Sequence, residues 1–283
     1  MKVVKNTLIH VGIHKAGSTF IQKEILNNLE NSKIITFLKK NEFSAFVDYI
    51  QLTSEQYFEI EKIEKEINEL NNLDEENIVI SSEGFTGRGS NIFGQGFSIT
   101  AICKRLKKIF INAKVIIVLR NQKDAITSLY KDDIKYGYSI SFEEWLKRRW
   151  KFNSLNYFYY SKLVSIYEEV FGKENVNIVF FEEIFGNQAP EMLLNKSNIK
   201  LKKNYKINFN RRDNESLTNI GLFVFKIVNK LSKTKLNTLT DIGINKNLKF
   251  YNFFRYNIKF LMYGFGSKKL KEPKLLIKIL NEY

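Results

Sequence analysis

The segment from Leu8 to Gln22 constrains the fold of this chain more than any other stretch. It reads Leu-Ile-His-Val-Gly-Ile-His-Lys-Ala-Gly-Ser-Thr-Phe-Ile-Gln. The apolar run at its start predicts a buried strand, and apolar residues at helical spacing predict a helix after Gly17. The turn between them carries a single lysine, Lys15. The first turn of a helix presents backbone N–H groups and a positive dipole end, so this turn is predicted to bind a phosphate.

The order of residues in this turn differs from the phosphate loop of nucleotide kinases. In that loop, G-x-x-x-x-G-K-[ST], the lysine directly precedes the hydroxyl residue. Here Gly12 and Gly17 have the matching spacing, but Lys15 precedes Gly17. The order Lys-x-Gly-Ser-Thr after a strand resembles the 5′-phosphosulfate loop of the sulfotransferases, which use 3′-phosphoadenosine-5′-phosphosulfate (PAPS). The resemblance implies that the donor is bound by Lys15, Ala16, Gly17, Ser18, Thr19 and Phe20.

A second segment points to the same family. The apolar run at 114–119 is typical of a buried parallel strand, and it ends in Arg120. Ser128 follows eight positions later on a predicted helix. An arginine at a strand end with a serine on the next helix resembles the 3′-phosphate motif of sulfotransferases. The arginine would offer a planar fork of donors to phosphate oxygens, and the serine one hydroxyl.

A third resemblance lies late in the chain, at 210–216. Many bacterial and carbohydrate sulfotransferases carry a similar Arg-x-Asn-Glu-Ser stretch, and here Arg211 and Arg212 precede Asp213. Two interpretations stay open. The paired arginines close over the 3′-phosphate of the nucleotide, or the loop only caps the next helix through Asn214 or Ser216.

The charge balance favours an anionic partner. The chain has 283 residues, with 45 lysines and arginines against 30 aspartates and glutamates, which gives a net charge of +15. An anionic nucleotide, an anionic glycan or nucleic acid would fit this surplus. Nucleic acid is disfavoured, because the sequence has no zinc spacing, no RNA-binding aromatic signature and no long basic arm.

Cysteine and histidine usage bounds the setting of the protein. Cys103 is the one cysteine, so an intramolecular disulfide is excluded, and two histidines (His10 and His14) without a Cys/His cluster argue against a zinc site. No signal peptide and no apolar run of transmembrane length is evident. The expected localisation is cytoplasmic, with peripheral membrane contact as an addition discussed below.

The alternation of strands and helices predicts an α/β fold with three layers, in which helices flank a central parallel sheet. This is the P-loop-like architecture that the sulfotransferase resemblance implies, here with a helical C-terminal extension. Strands are predicted at 7–12, 34–37, 77–81, 114–119 and 176–181. Helices are predicted at 17–29, 98–110, 124–136 and 141–171.

The whole chain, 1–283, is predicted to form a single sulfotransferase domain. Its donor-binding core spans 1–216 and contains a helical insertion at 41–73, which is either a wall on the acceptor side or an ordinary amphipathic helix pair. Residues 217–283 mix aromatic and basic side chains. This region is either a helical cap packed on the core or a basic amphipathic surface for a membrane.

Sulfuryl transfer resembles phosphoryl transfer, in which the protein mainly positions groups and stabilises charge. Lys15 is the candidate for stabilising the leaving oxygen, and Glu83, just beyond a predicted strand, is the candidate base. His14, next to Lys15, is the rival base. No metal is required, and the nucleotide product would be 3′,5′-diphosphoadenosine (PAP).

The predicted activity is sulfuryl transfer from PAPS to a hydroxyl, on a carbohydrate or a glycolipid. Two alternatives stay open: a P-loop-type small-molecule kinase, and a basic protein that binds nucleic acid or membranes. The sequence does not identify the acceptor or the oligomeric state.

Overall fold

The computed structural model describes residues 3–36, 43–87, 98–209, 216–231 and 267–282. The chain divides into two compact units. The first consists of Met1–Asn121 and Asn153–Arg211, and the second of Gln122–Phe152 and Arg212–Tyr283. Residues 122–152 therefore group with the C-terminal segment, whereas the sequence predicts that they belong to the donor-binding core at 1–216. The prediction of a single domain over 1–283 stays a prediction.

The first unit is built on a five-stranded parallel sheet, which confirms the predicted α/β class. Its strands lie in the order β2-β3-β1-β4-β5. All six residues of β3 are buried, as are five of the six in β1 and in β4. Alternate residues of a strand face opposite sides of a sheet, so both faces are covered. The strands are β1 (Asn6–Val11), β2 (Ser32–Thr36), β3 (Asn77–Ser82), β4 (Lys114–Leu119) and β5 (Val176–Phe180).

The register places three predicted site segments at one edge of this sheet. Val11 at the end of β1 lies opposite Ser82 on β3 and Ile117 on β4. The chain then leaves β1 toward one side for β2 and β3, and toward the other side for β4 and β5. Ligands of parallel α/β sheets bind beyond the strand ends at such a reversal. The loop after β1 begins at this edge, and Glu83 and Arg120 lie there as the residues that directly follow β3 and β4.

Helices connect the strands of the first unit, and further helices form the second unit. They are α1 (Ser18–Phe20), α2 (Ser44–Leu52), α3 (Glu64–Asn71), α4 (Ile99–Ile109), α5 (Gln122–Tyr136), α6 (Phe142–Lys151), α7 (Tyr160–Phe171), α8 (Ala189–Leu194), α9 (Asn219–Leu231) and α10 (Lys274–Glu282). The α1 turn continues as a π-helical turn over Ile21–Ile25 and a 3₁₀ turn over Leu26–Asn28. Helical structure thus follows the loop, as predicted for 17–29.

The helix predicted over 141–171 is divided in the structure into α6 and α7. Asn153 has φ 53°, a left-handed conformation that a right-handed helix does not contain. After this reversal, Tyr157 and Phe158 are fully buried in a short 3₁₀ turn. The chain gains aromatic burial by interrupting the helix, and a hydrophobic pattern of helical period does not reveal such a break.

Polar side chains buried in the second unit are hydrogen-bonded to one another and to the backbone. The Asp133 carboxylate on α5 accepts hydrogen bonds from Trp145 Nε1 at 2.7 Å and from Arg149 Nη2 at 2.5 Å, both on α6. On α9, Asn229 Nδ2 donates to the carbonyls of Ile134 at 2.7 Å and Tyr138 at 2.8 Å. The α9 helix is therefore packed against α5 within this unit.

The α9 helix also leaves an apolar stripe exposed, formed by Ile220, Phe223 and Ile227. Most of the basic aromatic region predicted as a cap or a membrane surface, 232–266, lies outside the described residues. The membrane contact stays a prediction. Among the helices that the structure describes, none has the length and apolar character needed to cross a bilayer.

Candidate active site

The loop after β1 has a backbone that only certain residues can adopt. The Ala16 N–H donates to the carbonyl of Ile13 at 3.1 Å and closes a tight turn. Lys15 and Gly17 both have left-handed backbones, with φ 69° and φ 78°. A glycine adopts this conformation readily, whereas another residue loses roughly 1–2 kcal/mol. The predicted catalytic lysine is thus held in a strained conformation, as is common at functional sites.

A helical segment begins directly at this loop. The Ile21 N–H donates to the Gly17 carbonyl at 3.0 Å, so the amides of Ser18, Thr19 and Phe20 form the first turn. First-turn amides have no partner within their own helix, which is the property that suits them to an anion. The Ala16 amide, which is also predicted to bind the donor, differs from these because it donates a hydrogen bond to the Ile13 carbonyl.

The two rival bases of the sequence analysis form a pair in the structure. The Nδ1 atom of His14 lies 2.7 Å from Oε2 of Glu83. The Glu83 side chain is 40% exposed, whereas the His14 side chain is 22% exposed and its Nε2 atom is buried. Glu83 is therefore the more exposed side chain of the pair.

Several neighbours set the charge state of Glu83. Burial alone would raise the pKa of this carboxyl group, but the charges of His14 and Lys15 and the Ser18 hydroxyl outweigh it. The net effect lowers the pKa of Glu83 below its ordinary value. The Ser18 hydroxyl is buried and makes no hydrogen bond of ordinary geometry in the described part of the chain, although it adjoins the carboxylate. Glu83 is thus a carboxylate at neutral pH.

A buried polar cluster lies close to this pair. The Ser81 hydroxyl contacts His10 Nδ1 at 2.7 Å and accepts from Gln22 Nε2 at 2.8 Å. Burial lowers the pKa of His10 to about 4, against an opposing effect of the Glu83 charge. His10 is therefore a neutral, hydrogen-bonded residue of the interior.

The turn that carries Glu83 is supported by the insertion. The Ser82 hydroxyl accepts hydrogen bonds from Gln51 Nε2 at 2.8 Å and from the Gly84 N–H at 3.1 Å. Gln51 lies on α2, within the segment 41–73, and is 7% exposed. Sequence reasoning missed this residue, although a glutamine in line with the apolar face of a helix is a signal that could have found it.

Replacement of Gly84 by alanine is expected to destabilise the first unit. A β-carbon at Gly84 would lie 1.8 Å from Gln51 Oε1, and moving that buried amide breaks its bond to Ser82. We expect a loss of about 1–3 kcal/mol in the free energy of unfolding, measured by urea denaturation. Gly186→Ala is the matched control, because the nearest atom to a β-carbon there is 3.9 Å away. Equal stability of the two variants would contradict this account.

Arg120 brings the second motif into contact with the first. Its Nη1 atom donates to the carbonyl of Lys15 at 2.7 Å. Its guanidinium carbon lies 4.5 Å from the ring centroid of Phe181, just after β5. This hydrogen bond joins the two segments that the sequence singles out, whose residues Lys15 and Arg120 are 105 positions apart.

Three other predicted donor-binding residues are not placed at this site by the described contacts. Ser128 lies on α5 in the second unit and is half-buried. Arg211 and Arg212 lie outside the described residues. Their roles at the 3′-phosphate remain predictions.

Comparison with known proteins finds similarity to sulfotransferases. A family model described as a sulfotransferase domain matches residues 102–198, about a third of the chain. This stretch contains Arg120 and Ser128 and leaves the Lys15 loop outside it. No curated protein matches the sequence. Among solved structures, the sulfotransferase from Alicyclobacillus acidocaldarius is similar, with 17% identity and a TM-score of 0.52 over 80% of this chain and 94% of that one.

Because the sequence identity is low, the structural likeness establishes the fold alone. Together with the family match, it supports the assignment of this chain to the sulfotransferase family. A sulfotransferase domain indicates a transferase that moves sulfuryl groups.

Proposed function

We propose that this protein transfers the sulfuryl group of PAPS to a hydroxyl of a carbohydrate or glycolipid and releases PAP. The observation that carries the proposal is the hydrogen bond from Arg120 to the Lys15 carbonyl. It joins the two elements proposed to bind anions, which lie at neighbouring strand ends, and a donor with phosphates at both its 3′ and 5′ positions requires two such elements. A mononucleotide with one phosphate group would need only the first.

The loop after β1 is the element for the 5′-phosphosulfate. The first-turn amides and the hydroxyls of Ser18 and Thr19 would hold the phosphate oxygens. In the transfer, the acceptor oxygen bonds to sulfur while the bond from sulfur to the bridging oxygen breaks. Lys15 would stabilise the negative charge that develops on that bridging oxygen, because its ammonium group is a mobile point charge.

The Glu83–His14 pair is the proposed base. Glu83 is the more exposed side chain of the pair, so its carboxylate takes the proton of the acceptor hydroxyl. His14 donates a hydrogen bond to the same carboxylate and holds it in position. The lowered pKa of Glu83 keeps it ionised, and therefore able to accept a proton, even under mildly acidic conditions.

The proposed class of acceptor, a carbohydrate or glycolipid, rests on the net charge of the chain, since no residue pattern in the sequence indicates a narrower class. The surplus of 15 positive charges favours an acceptor that carries negative charge of its own, as many glycans and glycolipids do. A panel of neutral and anionic sugars and glycolipids, assayed for PAPS-dependent sulfation, tests this part separately from the identity of the donor.

Thermal unfolding with nucleotides tests the donor. A ligand that binds only the native state stabilises that state by about 2.7 kcal/mol at a hundredfold excess over its Kd, and it therefore raises Tm. We expect a clear increase in Tm with PAP and none with ATP and Mg²⁺. An increase with ATP and Mg²⁺ alone would favour a small-molecule kinase, and no increase with either would favour a basic binding protein.

A further inference from the structure

We propose that Phe181 is a positioning residue that couples the two anion-binding elements of the site. This inference rests on the proposed function, since it concerns how the chain holds both phosphate groups of one nucleotide. Phe181 comes directly after β5, in a 3₁₀ turn over Phe181–Glu183.

One face of the Phe181 ring meets the 3′ element. The guanidinium carbon of Arg120 lies 4.5 Å from the ring centroid, within the range of a cation–π contact. An arginine side chain has several rotatable bonds, so a stacked guanidinium loses less freedom when it binds an anion. The ring thereby holds Arg120 in the orientation in which it donates to Lys15.

The edge of the same ring meets the 5′ element. A β-carbon at Gly17 would lie 3.0 Å from Cε2 and 3.2 Å from Cδ2 of Phe181, and 2.7 Å from Cδ1 of Ile184. The left-handed turn at Gly17 is therefore packed directly against this segment. The Phe185 ring supports Phe181 from another side, with 5.0 Å between centroids and a near-perpendicular orientation.

These contacts form a closed circuit. Lys15 and Gly17 belong to one loop, Gly17 packs on Phe181, Phe181 stacks on Arg120, and Arg120 donates to the Lys15 carbonyl. The Lys15 carbonyl is part of a strained peptide unit, which persists only when its surroundings hold it. Arg120 therefore has two roles: it would contact the 3′-phosphate, and it fixes the loop that binds the 5′-phosphate.

The test uses ligands that carry one phosphate each. If Arg120 acted only on the 3′-phosphate, Arg120→Ala would leave the binding of 5′-AMP unchanged. The circuit instead predicts that Arg120→Ala weakens 5′-AMP as well. Phe181→Leu, which keeps an apolar side chain against Gly17 but removes the ring face, is expected to weaken 5′-AMP and 3′-AMP each about three- to tenfold. Calorimetric titration of the full chain gives these Kd values.

Two controls separate positioning from general damage. Phe181→Tyr retains the ring and is expected to bind both mononucleotides like the wild type. General damage to the fold of any variant would appear as a lower Tm without nucleotide. Phe180→Leu changes the neighbouring exposed ring and is expected to leave both affinities unchanged. Because Phe181 acts through Arg120, Phe181→Leu should add little to Arg120→Ala in the binding of 5′-AMP.

The outcomes that overturn the inference differ from those that overturn the proposed function. Wild-type protein that does not bind PAP refutes the function, and the inference fails with it. Wild-type protein that binds PAP, with a Phe181→Leu variant of unchanged affinity for both mononucleotides, refutes the coupling alone. Fully additive effects of the two substitutions would likewise show that Phe181 does not act through Arg120.

Discussion

Replacement of Lys15 by glycine is expected to abolish most turnover without loss of stability. The ammonium group is the proposed stabiliser of the leaving oxygen, and removing one such donor from a preorganised site lowers kcat roughly 100- to 1,000-fold. The effect of this substitution on stability, in contrast to its effect on kcat, is expected to be neutral or favourable. Glycine adopts the left-handed conformation at φ 69° without the penalty that lysine incurs there, so Tm should be unchanged or slightly higher.

This combination identifies the role of Lys15 more sharply than a loss of activity alone. Turnover is followed as PAP release from PAPS with an acceptor found in the panel, and Tm is measured on the same preparation. Lys62→Ala serves as the matched control, because that lysine is half-exposed and pairs with Glu59 on the surface. Near-normal kcat in Lys15→Gly would refute the assignment of the loop, and a large fall in Tm would refute the account of its strain.

Replacement of Glu83 by glutamine is expected to lower kcat roughly 100- to 10,000-fold while PAP affinity is retained, because an amide cannot take the acceptor proton. Glu59→Gln, at an exposed ion pair, is the control and should behave as the wild type. Persistent kcat in Glu83→Gln would exclude this carboxylate as the base.

The pH dependence of His14→Ala distinguishes the two members of the pair. A base must be ionised, so activity falls as the pH drops through its pKa. His14 lowers the pKa of Glu83 against burial, which raises it. Without the imidazole, burial is opposed by fewer groups and the pKa of Glu83 rises. The acidic limb of the profile of kcat/KM against pH should therefore move to higher pH.

The other possible result has a different signature. If His14 were itself the proton acceptor, its removal would lower the plateau of the profile at every pH rather than displace the acidic limb. A displaced limb with a largely retained plateau supports Glu83 as the base and His14 as its positioning partner.

Local patterns in the sequence were sufficient to predict most of the first unit. Each buried strand is a short apolar run that ends in a polar or glycine-containing turn, so the positions of β1, β3, β4 and β5 follow from neighbouring residues alone. The choice of Lys15, Glu83 and Arg120 also followed from the sequence, because each comes directly after, or within a few residues of, such a strand. Parallel strands bring their ends to one edge, so proximity was predictable in outline.

The break between α6 and α7 was not predictable in this way. It depends on the burial of Tyr157 and Phe158 in the interior, and a helical pattern of apolar residues looks the same whether or not the chain reverses at Asn153. The grouping of 122–152 with the C-terminal segment is likewise a consequence of packing between distant parts of the chain.

The sequence by itself predicted which residues could serve sulfuryl transfer, because residue type, spacing and position at strand ends are local properties. Only the tertiary structure decided how they act together. Three features join segments that lie 31 to 164 positions apart: the pairing of His14 with Glu83, the support of the Glu83 turn by Gln51, and the circuit through Phe181 and Arg120. Such contacts depend on the register of the strands and on side-chain packing, which no single segment encodes.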